Sequence, residues 1–486
     1  MSRVMLLPAG RQLMVARGTA LRDVLFEQGV EFPCGGGGRC KGCRVKLLAG
    51  ALTPDAAERE RFTAAELTAG WRLACRHGVD SDLTLELAQW EMPVLSDHSA
   101  FSFVPQTGLG IAIDLGTTTI AAQLLDLTSG HVLAARTALN AQARHGDDIM
   151  SRIAYALQGG AADLTQLIRA QLGQMIAELA ETAPSCLVIV GNTVMHHLFC
   201  GIDVTPLATH PFLPEHKGRI RFTPSALGWN LPETTSVEFL PCIGGMVGAD
   251  ILAGIIATDL HKSEGLVALM DLGTNGEVVL AGQGRLLCTS TAAGPAFEGA
   301  RISMGMRAAS GAISEITLRD NAPHCRVIGG GAPRGLCGSG LVDAVAAGLD
   351  LGVIEANGRM RAERMMLAEP VTLSAQDVRQ LQLAKGAIAA GLKILTAHLG
   401  ATPSDIDQLY LAGAFGNCIN RVSAERIGLV RGAITSAGNT ALLGAKRALF
   451  EDTASWEALA DRVEHIALSE EPDFSDIFAE EMRFPD

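Results

Sequence analysis

Two stretches of this chain, GIAIDLGTTTIAAQLLD (110–126) and LVALMDLGTNGEVVLAG (266–282), repeat one pattern. Each is an apolar strand, an Asp-Leu-Gly-Thr turn and a second apolar strand. The copies lie too far apart for a solenoid period, so the repeat predicts two duplicated lobes. From Gly108 onward, apolar strands alternate with helical stretches such as Ala161–Glu181 and Ser374–Leu399, the pattern of an α/β architecture. A length of 486 residues exceeds one compact core, and 48% hydrophobic residues suffice to fill several. With 4% aromatics and 54 glycines, a glycine-hinged α/β protein fits better than an all-β sandwich.

The front of the chain is different. Residues 1–90 carry strand-like runs at Val4–Leu7, Arg44–Leu48 and Leu83–Leu87, with one helix-like run at Leu21–Gln28. Residues 91–107 hold two prolines and no periodicity, which reads as a linker. A net charge of −13 without a block of Lys or Arg argues against a nucleic-acid partner. No apolar run approaches the roughly 18 residues that span a bilayer. Residues 1–10 are too short for a signal sequence. The expectation is a cytoplasmic chain with no membrane contact, where 11 cysteines are ligands or buried thiols rather than disulfides.

Four of those cysteines cluster, as Cys34-x5-Cys40-x2-Cys43 followed by Cys75. Three thiolates on one loop and a distant fourth is the plant-type [2Fe–2S] layout, with five residues rather than four in the first gap. Gly35 to Gly38 let the backbone fold tightly and aim N–H groups at sulfur. A four-cysteine zinc site would show a second close pair, which Cys75 lacks. The remaining seven cysteines sit singly in apolar stretches, as small core residues do. The surroundings of the four, including GWRLACRH around Cys75, resemble a β-grasp ferredoxin.

No G-x-x-x-x-G-K-[ST] occurs, so the chain has no P-loop. A strand, a glycine turn and a second strand can also hold phosphate: Gly admits the backbone, and Thr donates from its N–H and hydroxyl. An Asp at the strand end can hold Mg²⁺ through water. Asp114, Gly116, Thr117 and Thr118 fit this arrangement, and Asp271, Gly273, Thr274 and Asn275 repeat it. One such turn is also an ordinary hairpin signal, whereas two in matched strand contexts carry more weight.

Three further segments sharpen the reading. Leu187–Leu198 is a buried strand running into a helix, and Leu409–Asn420 an apolar strand entering a small-residue turn. Asn439–Leu449 is a helix with Gly444 and Ala445 on a crowded face. Of the other candidates, Gly329–Gly340 is read equally as a nucleotide-facing loop or a plain connector, with Ser339 available as a cap. His196 and His197 face different directions on a helix and suit packing or an interface better than a metal. Glu298 is a weak candidate for a catalytic or gating acid, and Met304 and Met306 are read as core filler.

In order and spacing, the two turns and these three segments resemble the superfamily of acetate kinase, sugar kinases, Hsp70 and actin, known as ASKHA. The resemblance covers about residues 108–450 and implies two ribonuclease H-like lobes with ATP and Mg²⁺ in the cleft between them. By that analogy Asp114 and Asp271 attend the metal and water, and the Gly and Thr residues of the turns take phosphates. Asn192 joins the nucleotide site, and Gly413, Ala414 and Asn417 lie along the adenosine. The expected division is a ferredoxin unit over 1–90, a linker over 91–107, a first lobe over 108–262 and a second over 263–486.

A ferredoxin fused to such an ATPase resembles the reductive activators of corrinoid-dependent methyltransferases. The motifs GNTVMHHL, VGADI (247–251), LCGSG (336–340), QLAKGAI (382–388) and LAGAFGNCIN carry that resemblance nearly end to end. It implies ATP-dependent, one-electron reduction of a corrinoid protein from Co(II) to Co(I), with Cys34, Cys40, Cys43 and Cys75 on the cluster. It also implies an electron-donating reductase as partner, and a homodimer is an assembly left open. Members of that family carry a middle domain, for which 91–107 leaves no room. The competing expectation is a small-metabolite kinase with an accessory ferredoxin, although no substrate constellation of Arg and carboxylates stands between the two turns.

Overall fold

The computed structural model describes residues 1–486 apart from 8, 9, 31, 33–35, 88–96, 98, 147, 274, 300, 417 and 486, with Ala414 described by its backbone alone. Val4, Leu6, Val45, Leu83, Leu85 and Leu87 are buried and alternate with less buried neighbours such as Arg3, Met5, Lys46, Thr84 and Glu86, so the first strands bury one face. They form a five-stranded sheet ordered Arg11–Val15, Ser2–Leu7, Leu83–Leu87, Arg44–Ala49, Trp71–Leu73. The two central strands run parallel and the helix Leu21–Phe26 packs Leu21 and Leu25 into their core. This is the β-grasp arrangement expected of the first 90 residues.

The repeat becomes two sheets of the same design. In the first, Leu109–Leu115, Thr119–Asp126 and Val132–Leu139 make an antiparallel meander. Cys186–Val190 then adds parallel to Leu109–Leu115, and Ser236–Phe239 parallel to that. In the second sheet Val267–Leu272, Gly276–Gly282 and Arg285–Thr291 make the meander. Gln408–Ala412 and Ile434–Gly438 add on its parallel side. Each sheet therefore ends its first strand at an Asp-Leu-Gly-Thr turn, on the rim where α/β sheets bind ligands.

The lobes meet through two helices, Ala249–Ala257 and Thr440–Ala448. A Cβ on Gly444 would lie 2.3 Å from Ala253 O, and one on Gly254 would lie 3.1 Å from Thr440 Oγ1. Only missing side chains let these backbones approach, which explains the crowded face read at Gly444 and Ala445.

The described part of 91–107 has no helix or strand, yet it is docked. Phe101 and Phe103 pack on Phe450, with ring centroids 5.6 and 4.5 Å away. Asp97 and Lys446 form a buried ion pair at 2.5 Å, and Lys446 Nζ also donates to Asp97 O at 2.8 Å. The segment is anchored rather than a free linker because it carries two rings and a carboxylate that find buried partners.

Ser339 does not cap its helix. The helix runs Gly338–Asp350 with Cys337 at the cap position, and Ser339 Oγ inside its first turn donates to Ser314 O at 2.8 Å. The glycines there serve packing, since a Cβ on Gly338 would lie 1.8 Å from Phe297 O. His196 and His197 are fully buried; His197 Nδ1 lies 2.9 Å from Thr193 O and His196 stands edge-on to Phe239. Both belong to the core. Among the described residues no helix is long and apolar enough to cross a membrane.

Replacing Lys446 with Met would leave the Asp97 carboxylate buried without its cation, which typically costs about 3–5 kcal/mol. The double change Lys446→Met with Asp97→Asn is expected to recover much of that loss. Urea unfolding followed by tryptophan fluorescence measures both.

Candidate functional site: a thiol cluster and a carboxylate cleft joined by one segment

Cys43 is buried at the end of the core, and Cys40 and Cys75 are half-buried beside it. Cys43 and Cys75 share a side-chain hydrogen bond, and that bond, burial and the Cys75 and Cys40 thiols together push the Cys43 thiol far up. Iron bound there would displace that proton, because the thiolate and not the thiol is the ligand. Gly42 N–H points at Cys40 Sγ at 3.4 Å. Gly36 and Gly38 hold φ of +77° and +70°, and a Cβ on Gly36 would lie 3.6 Å from Cys75 Cβ. A Cβ on Gly36 would meet Arg22 Cδ at 2.8 Å and one on Gly38 would meet Arg76 Cδ at 2.9 Å, so both glycines let the loop fold beneath these arginines beside Cys75. Cys34 and Gly35 lie outside the described residues.

Three described thiols do not surround a single ion: no group of three ligating residues does so among the described residues. A [2Fe–2S] centre has no such need, because four thiolates divide between two irons. The arrangement fits it.

The sequence did not reveal what holds Cys75. Glu58 is fully buried and accepts from Leu73 N–H at 2.6 Å and Asp55 N–H at 2.9 Å, with His77 Nε2 2.9 Å away. Burial raises its pKa, but the bonds from His77, Leu73 and Asp55 outweigh that and hold it below the usual range. Glu58 therefore pins both flanks of the Cys75 turn. Its position three residues after Asp55 is a capping-box signal that hid this second task.

The second part of the site gathers at the turn ends. Asp114 and Asp271 come close enough to repel, and Asp250 feels both. Burial pushes Asp114 up to about 6, against a hydrogen bond from Asn439 that lowers it. Burial first and Asp114 second push Asp271 to about 7. Burial, then Asp114 and Asp271, push Asp250 to about 7. Glu277 is raised well above its ordinary value by burial, Asp250 and Asp271. Among the described residues these acids do not form a group of three that could ligate a metal directly, so a Mg²⁺ ion at this cleft would be met through the water it keeps.

Around these acids the expected phosphate residues assemble. Asn192 Nδ2 donates to Thr117 Oγ1 at 2.8 Å, while its Oδ1 caps the helix Thr193–Cys200 by accepting from Met195 N–H. Gly116 lies so close to Thr119 that a Cβ would meet its carbonyl at 2.4 Å. Gly413 has φ +83°, and a Cβ there would lie 2.7 Å from Asp271 Oδ1. From the other lobe's helix cap, Asn439 Nδ2 donates to Asp114 Oδ2 at 2.9 Å. Asn275 lies on the second turn, with Gly273 N–H donating to its carbonyl at 3.1 Å. Thr274 and Asn417 lie outside the described residues, as does the side chain of Ala414. Asp250, Glu277 and Asn439 were not singled out as site residues, although Asp250 is the second residue of a helix capped by Gly248 and Asn439 directly precedes a helix.

A single segment connects the two parts. Leu139 is buried within the hydrophobic core of the ferredoxin unit, and Ala143 packs against it. Arg144 lies over the Phe26 ring at 5.0 Å and 3.6 Å from Glu27. Facing the other way, Asn140 Nδ2 donates to Gly116 O at 2.9 Å and Asn140 N–H to Thr118 O at 2.9 Å. Arg152, wholly buried, donates to Thr117 O and, at 2.8 Å, to Gly146 O. On the second lobe Arg307 Nη2 donates to Gly29 O at 3.1 Å, and Arg334 pairs with Glu86.

The raised carboxyls make the folded chain bind more protons than the unfolded one between about pH 4 and 7, so their contribution to stability falls as pH rises. Asp250→Asn removes one such group. Without added cation, the stability of this variant relative to wild type is expected to increase from pH 5 to pH 8, as read by urea titration at each pH. A difference independent of pH would contradict the raised Asp250 carboxyl, which burial first and the neighbouring Asp114 and Asp271 second produce.

Family descriptions tile the chain: a 2Fe-2S iron-sulfur cluster binding domain matches residues 4–79, the RACo middle region 109–263, and the C-terminal domain of RACo, the ASKHA domain, 265–486. No middle domain is therefore missing; the first six-stranded lobe is the stretch that matches it, which corrects the expectation drawn from 91–107. The corrinoid activation enzyme RamQ of Eubacterium limosum is 32% identical over 440 residues, covering 81% of this chain and 74% of RamQ. The [Co(II) methylated amine-specific corrinoid protein] reductase of Methanosarcina barkeri is 26% identical over 383 residues, covering 70% of each. Among solved structures, a reductive activator for corrinoid, iron-sulfur protein superposes with a TM-score of 0.71 at 25% identity, covering 100% of this chain and 98% of that one. Iron–sulfur and ATP binding follow from these domains, and the chain belongs to the ferredoxin-fused ASKHA family of corrinoid activators.

Proposed function

We propose that this chain performs the ATP-dependent reductive activation of a corrinoid protein in the cytoplasm, receiving electrons from a low-potential reductase. In the overall reaction the donor loses one electron and Co(II) gains it, giving Co(I). Cys34, Cys40, Cys43 and Cys75 would hold the [2Fe–2S] cluster, which when bound supplies single electrons at a potential near −400 mV. Asp114 and Asp271 would attend Mg²⁺ through its bound water, with Asp250 adding negative charge beside them. Gly116, Thr117, Thr118, Gly273, Thr274 and Asn275 would take phosphate oxygens, steadied by Asn192. Gly413, Ala414 and Asn417 would border the adenosine. The units that carry these tasks run over 1–90, 108–262 and 263–486, and a homodimer is compatible with them.

Reducing Co(II) from such a centre is uphill, each shortfall of roughly 59 mV costing tenfold in a one-electron equilibrium. ATP shifts that balance only if it stabilises a state that holds the Co(II) partner differently from the Co(I) partner. The observation that carries the proposal is the segment 139–146, which touches the first phosphate turn with one side and the ferredoxin unit with the other. A phosphate that draws on the Gly116–Thr118 turn moves carbonyls which Asn140 and Arg152 grip. Both are positioning residues, since each acts through the turn.

Asp114→Ala is expected to lower ATP-dependent activation on the order of 100-fold or more, leaving the cluster's absorption spectrum intact. Asn140→Ala is expected to separate the two activities: ATP still protects the lobes from protease, but no longer changes the circular dichroism of the cluster. Phosphate release that persists at the wild-type rate in Asp114→Ala would refute the assignment.

A further inference from the structure

Each described cysteine of the thiol cluster has a cation beside it in sequence: Arg39 and Lys41 flank Cys40, Arg44 follows Cys43, and Arg76 follows Cys75. A further one, Arg22, comes from the helix Leu21–Phe26. The whole chain has a net charge of −13, so this concentration of positive charge runs against its composition.

The structure separates cations committed to neighbours from those laid over the cluster loop. Lys41 pairs with Glu66 at 2.8 Å and lies over the Phe62 ring at 4.9 Å. Arg44 lies over the Trp71 ring at 5.9 Å. Arg22 and Arg76 instead cross the loop glycines: a Cβ on Gly36 would lie 2.9 Å from Arg22 Nη1, and one on Gly38 3.5 Å from Arg76 Nε. The partners of these two decide how much charge reaches the loop. Arg22 meets Asp23 at 3.5 Å with side chains 35% and 45% exposed, and a pair so long and so wet is weak. Arg76 Nε donates to Asp55 Oδ2 at 2.6 Å, and Asp55 Oδ1 is itself fixed by Glu58 N–H at 2.9 Å. That pairing holds the guanidinium in place over Gly38. Its two members face the sulfurs unequally. Asp55 first and Cys75 after it hold Arg76 charged, whereas the charges acting on Asp55 are Arg76 and His77.

The geometry points to Arg22 and Arg76 as fixed cations that set the reduction potential of the cluster bound beneath them. The inference rests on the proposed redox role and adds its control. A [2Fe–2S] centre that takes up an electron gains one negative charge, and a nearby cation stabilises that form over the oxidised one. Arginine keeps its proton throughout, so this bias is constant. The two arginines therefore pull the potential up. Loading from the donor becomes easier, and passing the electron to Co(II) becomes steeper by the same amount, which enlarges the share that ATP supplies.

The test is an anaerobic redox titration of the full chain with its cluster assembled, read from the electron paramagnetic resonance of the reduced centre. Arg22→Gln and Arg76→Gln are each expected to lower the one-electron equilibrium constant for reduction at least threefold, tenfold being about 59 mV. Arg76→Lys keeps the charge and is expected to recover most of the wild-type value. Asp55→Asn removes the opposing charge but can still accept from Glu58 N–H, and is expected to raise the potential. A loop merely loosened by substitution gives no reason for opposite signs. Iron and sulfide content verifies each variant; where a glutamine variant assembles no cluster, the direction given by Asp55→Asn decides. A change under threefold in both glutamine variants, or a potential that fails to rise in Asp55→Asn, overturns the inference, while wild-type activation of a Co(II) corrinoid protein preserves the function. A wild-type chain that takes up no [2Fe–2S] cluster overturns both.

Discussion

The arrangement turns on one buried guanidinium. Arg152 is fully enclosed and spends its donors on carbonyls and an amide: Thr117 O, Gly146 O and, at 3.3 Å, Gln142 Oε1. Taking a charge out of water costs several kcal/mol unless its hydrogen-bonding capacity is met. The geometry of the first phosphate turn and of the loop after residue 140 is therefore set together, because displacing either removes partners from the same cation. Leu139, adjacent to that loop, is already committed to the ferredoxin core. The Gly116–Thr118 turn, the guanidinium and the docked ferredoxin are thus linked through shared contacts.

The duplicated lobes supply the other half of the device. Each ends its first strand at an aspartate, and the packed lobes set Asp114, Asp250 and Asp271 in mutual repulsion, with Glu277 repelled by Asp250 and Asp271. Glycines at 254 and 444 let the helices of the two lobes come that near, while Gly248 lets the Asp250 helix start against Asn192 within the first lobe: a Cβ on Gly248 would lie 2.3 Å from Asn192 Cα. Repulsion among carboxylates favours separation until a cation joins them, whereas Asn439 reaching across to Asp114 favours approach. Opposed forces of that kind make a cleft whose closure depends on what occupies it, which is the property an ATP-driven clamp requires.

Much of this was legible in the residues. The repeated Asp-Leu-Gly-Thr turn fixed the two matching meanders, because strand periodicity and a glycine turn are local properties. The cysteine spacing marked the thiol cradle for the same reason. What the sequence hid was everything that depends on long-range contact. Asp250 and Glu277 read as ordinary residues of a helix and a strand until the lobes bring them to the other acids. Glu58 looks like a capping residue, and its grip on Leu73 and His77 exists only in the folded ferredoxin. Ser339 misled because a serine before an apolar run is a capping signal, but the helix begins one residue earlier and buries it. The 91–107 segment misled through its composition: prolines and small polar residues suggest a flexible tether, yet Asp97, Phe101 and Phe103 each have a buried partner.

That anchoring bears on how the ferredoxin unit can move. Asp97 is tied to Lys446 on the helix Thr440–Ala448, whose cap is the same Asn439 that donates to Asp114. The chain leaving the ferredoxin unit is thus fastened to the helix capped beside the carboxylate cleft, while Leu139 and Arg144 hold the unit's body from the other lobe. Relative motion of the lobes changes the distance between those two attachments. A ferredoxin held at one point would ride passively with its lobe. Held at two points on different lobes, it must reorient when the lobes move, and its cluster loop changes its presentation to whatever stands in the space between them.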